Sequence, residues 1–159
     1  MDTLQFRKAL GHFATGVTIV TIPKSEGSYH GVTVNAFSSL SMSPPLLLVC
    51  LDNKTFSCKF LRKSGNFAVN ILSKQQEELA FHFADIKTAD NILLEDAIEF
   101  GYEGIPILKE SLANLTCRVT ETFSCGDHTI FVAMLLDIRV KETKAPLVFF
   151  NGKFTTTHQ

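Results

Sequence analysis

Gly16-Val17-Thr18-Ile19-Val20-Thr21-Ile22, a turn from Pro23 to Ser28, and Tyr29-His30-Gly31-Val32-Thr33-Val34-Asn35 together read as a β-hairpin. The first run is β-branched and interleaves its apolar members with Thr, which suits a pleated surface better than a helix. Upstream, Phe6, Ala9, Leu10 and Phe13 recur at i, i+3, i+4 and i+7, predicting one short amphipathic helix capped by Asp2 or Thr3. Downstream, a polar Ser38-Ser39-Leu40-Ser41 stretch and Pro44-Pro45 lead into Leu46-Leu47-Leu48-Val49-Cys50-Leu51, which is expected to be a buried strand. Asn53 or Thr55 can then cap a short helix containing Phe56, Phe60 and Leu61. Phe67–Ile71 predicts a further strand, and Ser73-Lys74-Gln75-Gln76 is a capping box for a helix running to about Phe83.

From Asp85 to Glu110 the pattern is weak and predicts a loop, with a short strand near Ala97–Tyr102 and Pro106 in or beside an edge segment. Strands are expected again at Leu112–Thr122, His128–Val140 and Leu147–Phe150, with Asn151-Gly152 as a hairpin turn before Lys153–Thr157. Six or seven strands joined by short turns, with two or three short helices, point to a mainly β fold: an antiparallel barrel with peripheral helices. A parallel sheet would need regular helical crossovers, and the sequence has none. The 159 residues predict one domain, at a typical domain size of roughly 150 residues.

Composition excludes several classes of function. With 15 Lys+Arg against 16 Asp+Glu the formal net charge is −1, so the basic footprint of a dedicated nucleic-acid or acidic-membrane binder is missing. The chain is 45% hydrophobic and 19% charged, which argues for a packed domain with apolar surface left over for an interface. The longest apolar run is far below the ~20 residues of a membrane helix. Asp2, Arg7 and Lys8 interrupt any signal-peptide core, so a cytoplasmic location is expected. The 4 Cys form no C-x-x-C and are expected to be buried or semi-buried reduced thiols. No two of the 5 His have the i, i+4 spacing of a helical metal pair. Neither a G-x-G-x-x-G nor a G-x-x-x-x-G-K-[ST] loop occurs, so any nucleotide must be held in another way.

Three segments carry possible chemistry. Thr33-Val34-Asn35-Ala36-Phe37-Ser38-Ser39-Leu40-Ser41 places hydroxyls and an amide at the end of an apolar strand. They can satisfy a polar ring edge or a phosphate, or they can bond their own backbone in a turn. Asp52-Asn53-Lys54-Thr55-Phe56-Ser57 follows a strand and opens a helix, which suits a phosphate seat and an ordinary helix cap equally. Asp127-His128 follows Gly126 at the mouth of a long strand, where the pair either terminates the strand or holds an imidazole for function.

The order and spacing of these pieces resemble the flavin reductase-like, FMN-binding split-barrel family. The resemblance runs from Phe6-Arg7-Lys8-Ala9-Leu10-Gly11-His12-Phe13-Ala14-Thr15-Gly16-Val17 to Phe149-Phe150-Asn151-Gly152-Lys153-Phe154. Between these lie His30–Ser41, Pro44-Pro45, Phe67-Ala68-Val69-Asn70-Ile71-Leu72 and Gly126-Asp127-His128-Thr129-Ile130-Phe131. The resemblance implies an antiparallel Greek-key split β-barrel and an NAD(P)H:flavin oxidoreductase. Hydride would pass from NADH (or NADPH) to FMN or FAD in a homodimer that supplies reduced flavin to a flavin-dependent monooxygenase. A flavin-binding electron carrier of the same fold, without efficient NAD(P)H oxidation, is the alternative.

By the same resemblance, Thr33, Asn35, Ala36, Ser38 and Ser39 would contact flavin. Cys50, Leu51 and Asp52 would offer backbone groups, and Lys54, Thr55 and Ser57 would meet the phosphate. His128 would be the catalytic, nicotinamide-side residue. Phe83 would approach from its helix, and Phe150, Gly152 and Phe154 would close the C-terminal side. The chain departs from the family pattern at Val132-Ala133-Met134, where a branched residue followed by Gly-Glu is common. It also has Phe154 in place of a frequent Tyr, and Val34 where a small Ala is common.

Overall fold

A computed structural model describes residues 1–25, 27–84, 96–141 and 144–157. Its main sheet has seven antiparallel strands: β2 (Thr18–Pro23), β3 (Tyr29–Val34), β4 (Phe37–Met42), β5 (Pro45–Asp52), β6 (Asn66–Ile71), β9 (Ala113–Cys125) and β10 (His128–Val140), in the order β3-β2-β6-β9-β10-β5-β4. The expected hairpin is present, with Ile19 opposite Thr33 and Val20 opposite Val32. The two terminal strands of this order, β3 and β4, are consecutive in the chain and are joined by Asn35-Ala36 alone. One core cluster also takes Val32 and Val34 from β3 together with Leu47, Val49 and Leu51 from β5, so the sheet curls until its two ends face each other. Register shifts in the 13-residue strands β9 and β10 supply local bends of the kind that curling requires.

Inside the curl, Phe67, Phe131 and Val20 pack with Cys58 and Leu61 of helix α2 (Phe56–Ser64), which plugs one end. The Thr55 hydroxyl caps α2 by accepting from Cys58 N–H at 3.2 Å. A second cluster covers the outer face of β2 and β3. It joins Ile19 and Val17 to Ala80 and Phe83 of α3 (Glu77–Phe83), with Ile98 of β7 (Ile98–Phe100) and Leu108 of β8 (Pro106–Leu108). Ser73 N–H donates to Gln76 Oε1, as the capping box predicts, although the first turn is a 3₁₀ turn ahead of α3. Because β2 is covered on both faces, its Thr hydroxyls are buried and donate to carbonyls: Thr18 to Val34 O at 2.6 Å and Thr21 to Pro106 O at 2.5 Å. Asn70 fastens the small β7–β8 sheet to the barrel. Its amide nitrogen donates to Ile19 O and Thr21 Oγ1, and its oxygen accepts from Leu108 N–H and Asn114 Nδ2.

A third sheet joins β1 (Thr15–Gly16), β11 (Val148–Phe150) and β12 (Lys153–Thr155), and turns at Asn151-Gly152 with positive φ at both residues. Helix α1 (Thr3–Gly11) is capped by Asp2, which accepts from Leu4 N–H at 2.9 Å.

Several expectations change. The Ser38–Ser41 stretch is a strand, β4, because β5 has an open edge for it to pair with. The 46–51 run is not continuously buried: Leu47, Val49 and Leu51 face the core, while Leu46, Leu48 and Cys50 are half-buried on the outer face. Helix α1 buries none of its residues: Leu4, Phe6 and Leu10 are exposed, as is Phe13 just beyond its end. Cys125 is also exposed, unlike Cys58 and Cys117, because it sits at the β9 end beside a two-residue turn. The weak central stretch contains two short strands rather than one, while residues 85–95 of the expected loop lie outside the described residues. Among the described residues no helix is long and apolar enough to cross a membrane.

Candidate active site

Where the two ends of the curled sheet meet, β4 pairs with β5 only as far as Val49, and the last bond across this junction is Cys50 N–H to Ala36 O at 3.0 Å. Beyond it, the outer edge of β3 and the end of β5 run apart and leave a seam. A depression of about 200 Å³ opens there, lined by Val32 to Ala36, Cys50 to Asp52, Thr55 and His128. The sequence scatters these residues over about a hundred positions, and the fold gathers them. His128 arrives because it lies directly opposite Asp52 in the β5–β10 register, so both point to the same face.

Two further depressions adjoin this one through Asn35. The first, about 160 Å³, is lined by Val17, Thr33, Asn35, Ala84, Phe149 and Phe154. The second, about 360 Å³, includes Phe13, Thr15, Asn35 and Phe37. Thr33 donates its hydroxyl to Ala80 O at 2.7 Å and so ties the last turn of α3 to the site. The Thr15 hydroxyl is buried with no hydrogen-bond partner among the described residues.

The charges at the mouth are already engaged. Asp127 Oδ1 is 2.7 Å from His128 Nδ1. That hydrogen bond, the imidazole charge and, more weakly, Lys54 hold the Asp127 carboxyl below the usual carboxylate range. Asp52 Oδ1 accepts from the backbone N–H of Lys54 at 2.8 Å. Burial, with Cys125 nearby, pushes the Cys50 thiol up, so it faces the depression as a neutral group. Among the described residues no group of three or more His, Cys, Asp or Glu could hold a metal ion.

Other predicted residues are placed differently. Ser38 and Ser39 lie farther along β4, exposed and outside the lining, with Ser38 Oγ donating to Ser39 O. Ser57 is buried, its hydroxyl 2.7 Å from His30 Nε2. Lys54 is exposed beside the depression. Phe83 is a core plug set against Gly31 rather than a lining residue. Phe150 points outward toward His12, and Gly152 belongs to the turn. Phe149 takes the place expected for Phe150. It stands opposite Phe154 in the β11–β12 register, with ring centroids 5.7 Å apart. The signal was present in the sequence, since a two-residue Asn151-Gly152 turn pairs Phe154 with Phe149 and alternation sends Phe150 to the other face.

This donor set fits a flavin: strand edges and amides suit the carbonyl and N–H rim of a flat heterocycle. Lys54 and the first turn of α2, whose N–H groups lack intrahelical acceptors, suit a phosphate. Residues 10–158 match the flavin reductase like domain family. The chain is 40% identical to the reductase component of the 4-nitrophenol 4-monooxygenase/4-nitrocatechol 2-monooxygenase of Rhodococcus opacus, over 97% of this chain and 80% of that protein. It is 38% identical to the NADH-dependent flavin reductase of a Rhodococcus species, over 95% of this chain and 84% of that protein. Among solved structures, the flavin reductase PheA2 superposes with a TM-score of 0.91 at 38% identity, covering all of both chains. The match over residues 10–158, together with these full-length likenesses, identifies the chain as a member of the flavin reductase-like domain family.

Proposed function

We propose that this chain is an NADH-dependent flavin reductase that delivers reduced FMN or FAD to a partner monooxygenase. The observation that carries the reading is the seam depression, where the β3 and β5 edges and His128 converge in a chain of this family. When bound, the flavin supplies the electron sink for a hydride from the reduced nicotinamide. The protein supplies placement. The edges of β3 and β5 hold the ring rim, Lys54 and the start of α2 hold the phosphate, and Phe149 and Phe154 exclude water on one flank. The Asp127 carboxylate, 2.7 Å from His128 Nδ1, orients the ring and leaves Nε2 to meet a nicotinamide carboxamide. No strong acid or base is required, because orienting two reactants can by itself remove several kcal/mol, up to roughly 7–11, from a bimolecular barrier.

A homodimer belongs to this reading. The exposed Leu4, Phe6 and Leu10 of α1, with Phe13 just beyond it, support it, and light scattering on the purified protein measures it. The decisive test follows nicotinamide absorbance with NADH or NADPH, with and without FMN or FAD. Flavin-dependent oxidation of NADH is expected. No oxidation with either nucleotide rejects the reading, and a yellow but inactive protein selects a flavin-binding carrier.

A further inference from the structure

The His128 side chain is about half exposed, and the hydrogen bond it makes among the described residues goes to its own neighbour, Asp127. A partner that adjoins it in the chain cannot fix where the ring sits, so the hold on the backbone on either side matters. Both neighbours are held by one residue, Asn53, in the turn between β5 and α2. Before His128, Asp127 O accepts from Asn53 N–H at 2.9 Å, and Gly126 O makes a longer contact of 3.5 Å with Asn53 Nδ2. After it, the hydroxyl of Thr129, a fully buried residue, donates to Asn53 Oδ1 at 2.6 Å.

The direction of this last bond is fixed from α2. Arg62 Nη2 lies 2.6 Å from Thr129 Oγ1, and a guanidinium can only donate. The hydroxyl must accept from Arg62, so its own proton can go only to Asn53. That in turn sets the amide, with its oxygen toward Thr129 and its nitrogen toward Gly126. The Arg62 guanidinium also sits 5.8 Å over the Phe131 ring, which anchors the start of the relay to the core.

We propose that Asn53 is the positioning residue for His128, and that Arg62 and Thr129 lock its orientation. The relay rests on the reading of His128 as the nicotinamide-side residue. It also couples two halves of the site, because Asn53 lies between Asp52, the last residue of β5, and Lys54. Thr129 is the place to test it, since a fully buried residue touches neither nucleotide.

In Thr129→Val the shape is kept and the hydroxyl is lost. The KM for NADH should rise about tenfold, with kcat less affected, while the flavin Kd from fluorescence titration stays within about twofold. Thr129→Ser, which restores the hydroxyl, should return the KM to near wild type. The readout independent of turnover is the imidazole resonance of His128 in ¹⁵N-histidine-labelled protein, expected to be sharp in wild type and Thr129→Ser and broadened in Thr129→Val. If Thr129→Val fails to fold, Arg62→Met at the helix surface carries the test, with a smaller KM rise and the same broadening. A folded variant with wild-type KM and wild-type His128 resonances overturns the proposal. So does an equal loss of flavin and NADH affinity, which would mean general loosening. His128→Ala separates the two claims: an unchanged NADH KM there refutes the role of His128, while the resonances still decide whether Asn53 holds the ring.

Discussion

Gly31 lies in the middle of β3, and a methyl group at that position would meet the Phe83 ring at 2.4 Å from Cε1, 2.5 Å from Cδ1 and 3.1 Å from Cζ. Carbon atoms in good contact sit about 3.5–4.0 Å apart, so Gly31→Ala demands a relative displacement of roughly 1 Å or more. Phe83 is 1% exposed and packed among Ile19, Leu72 and Leu108, so the ring cannot swing aside unless α3 moves. Overpacking of this kind costs about 1–3 kcal/mol. For a chain of this size, each kcal/mol lowers Tm by about 2–4 °C. The same movement draws Ala80 O away from the Thr33 hydroxyl, 2.7 Å distant, and so reaches the wall of the site. Thermal melting and flavin titration of Gly31→Ala should therefore both show a loss. Phe83→Leu removes the ring atoms that the methyl meets, so the double variant should be more stable than the sum of the two single effects by about 1 kcal/mol. Strict additivity, or a Gly31→Ala protein with the stability and flavin affinity of wild type, would refute the steric argument.

Asn70→Leu keeps much of the volume but leaves Ile19 O, Thr21 Oγ1, Leu108 N–H and Asn114 Nδ2 short of a partner, and urea melts should register a loss of about 3 kcal/mol or more. The Asp127 carboxyl is depressed in the folded state, so its pairing with His128 favours folding above the ordinary carboxylate range and is lost as pH falls through the lowered value. The Tm difference between wild type and Asp127→Asn should accordingly be present at neutral pH and shrink on acidification; a difference independent of pH would contradict the pairing. Alkylation followed by mass spectrometry should label exposed Cys125 first. Cys117, whose thiol burial pushes up to about 12, should react only on unfolding.

Much of the barrel was legible because its signals are local. The β2–β3 hairpin, the start of β10 at His128, the Thr55 cap and the Asn151-Gly152 turn each depend on residues within a few positions of one another. Strand β4 is not legible in the sequence for the opposite reason. Ser38-Ser39-Leu40-Ser41 has no apolar face of its own, and it is a strand only because β5 offers an edge. Phe83 is expected at the site by the family resemblance alone, and Ser57 by that resemblance and its place at the start of a helix. What decides their place is tertiary: Gly31 leaves a hole that Phe83 fills, and His30 draws the Ser57 hydroxyl into the interior. The resemblance to the family located the segments, while the register of β11 against β12 decided which Phe of the 149–150 pair lines the site.

The near-zero net charge acquires a local meaning at the seam. Asp52 and Asp127 both stand at its mouth, yet each carboxylate has a donor, the Lys54 N–H and the His128 imidazole respectively. Lys54 adds positive charge near Asp127, and Cys50 is held as a neutral thiol. A ligand ring entering between β3 and β5 therefore meets backbone amides, hydroxyls and apolar side chains, with the ionised groups at the rim already compensated. Such a wall binds a flat polar heterocycle without forcing it into one charge state. That is the requirement on a site whose occupant differs by a hydride before and after reaction, and whose product has to leave. Strong charge complementarity to either form would slow release or reduction, so the selectivity of this seam rests on the placement of strand edges. Gly31 with Phe83 behind β3, and Asn53 with Thr129 beside His128, are placed to shape that seam without lining it.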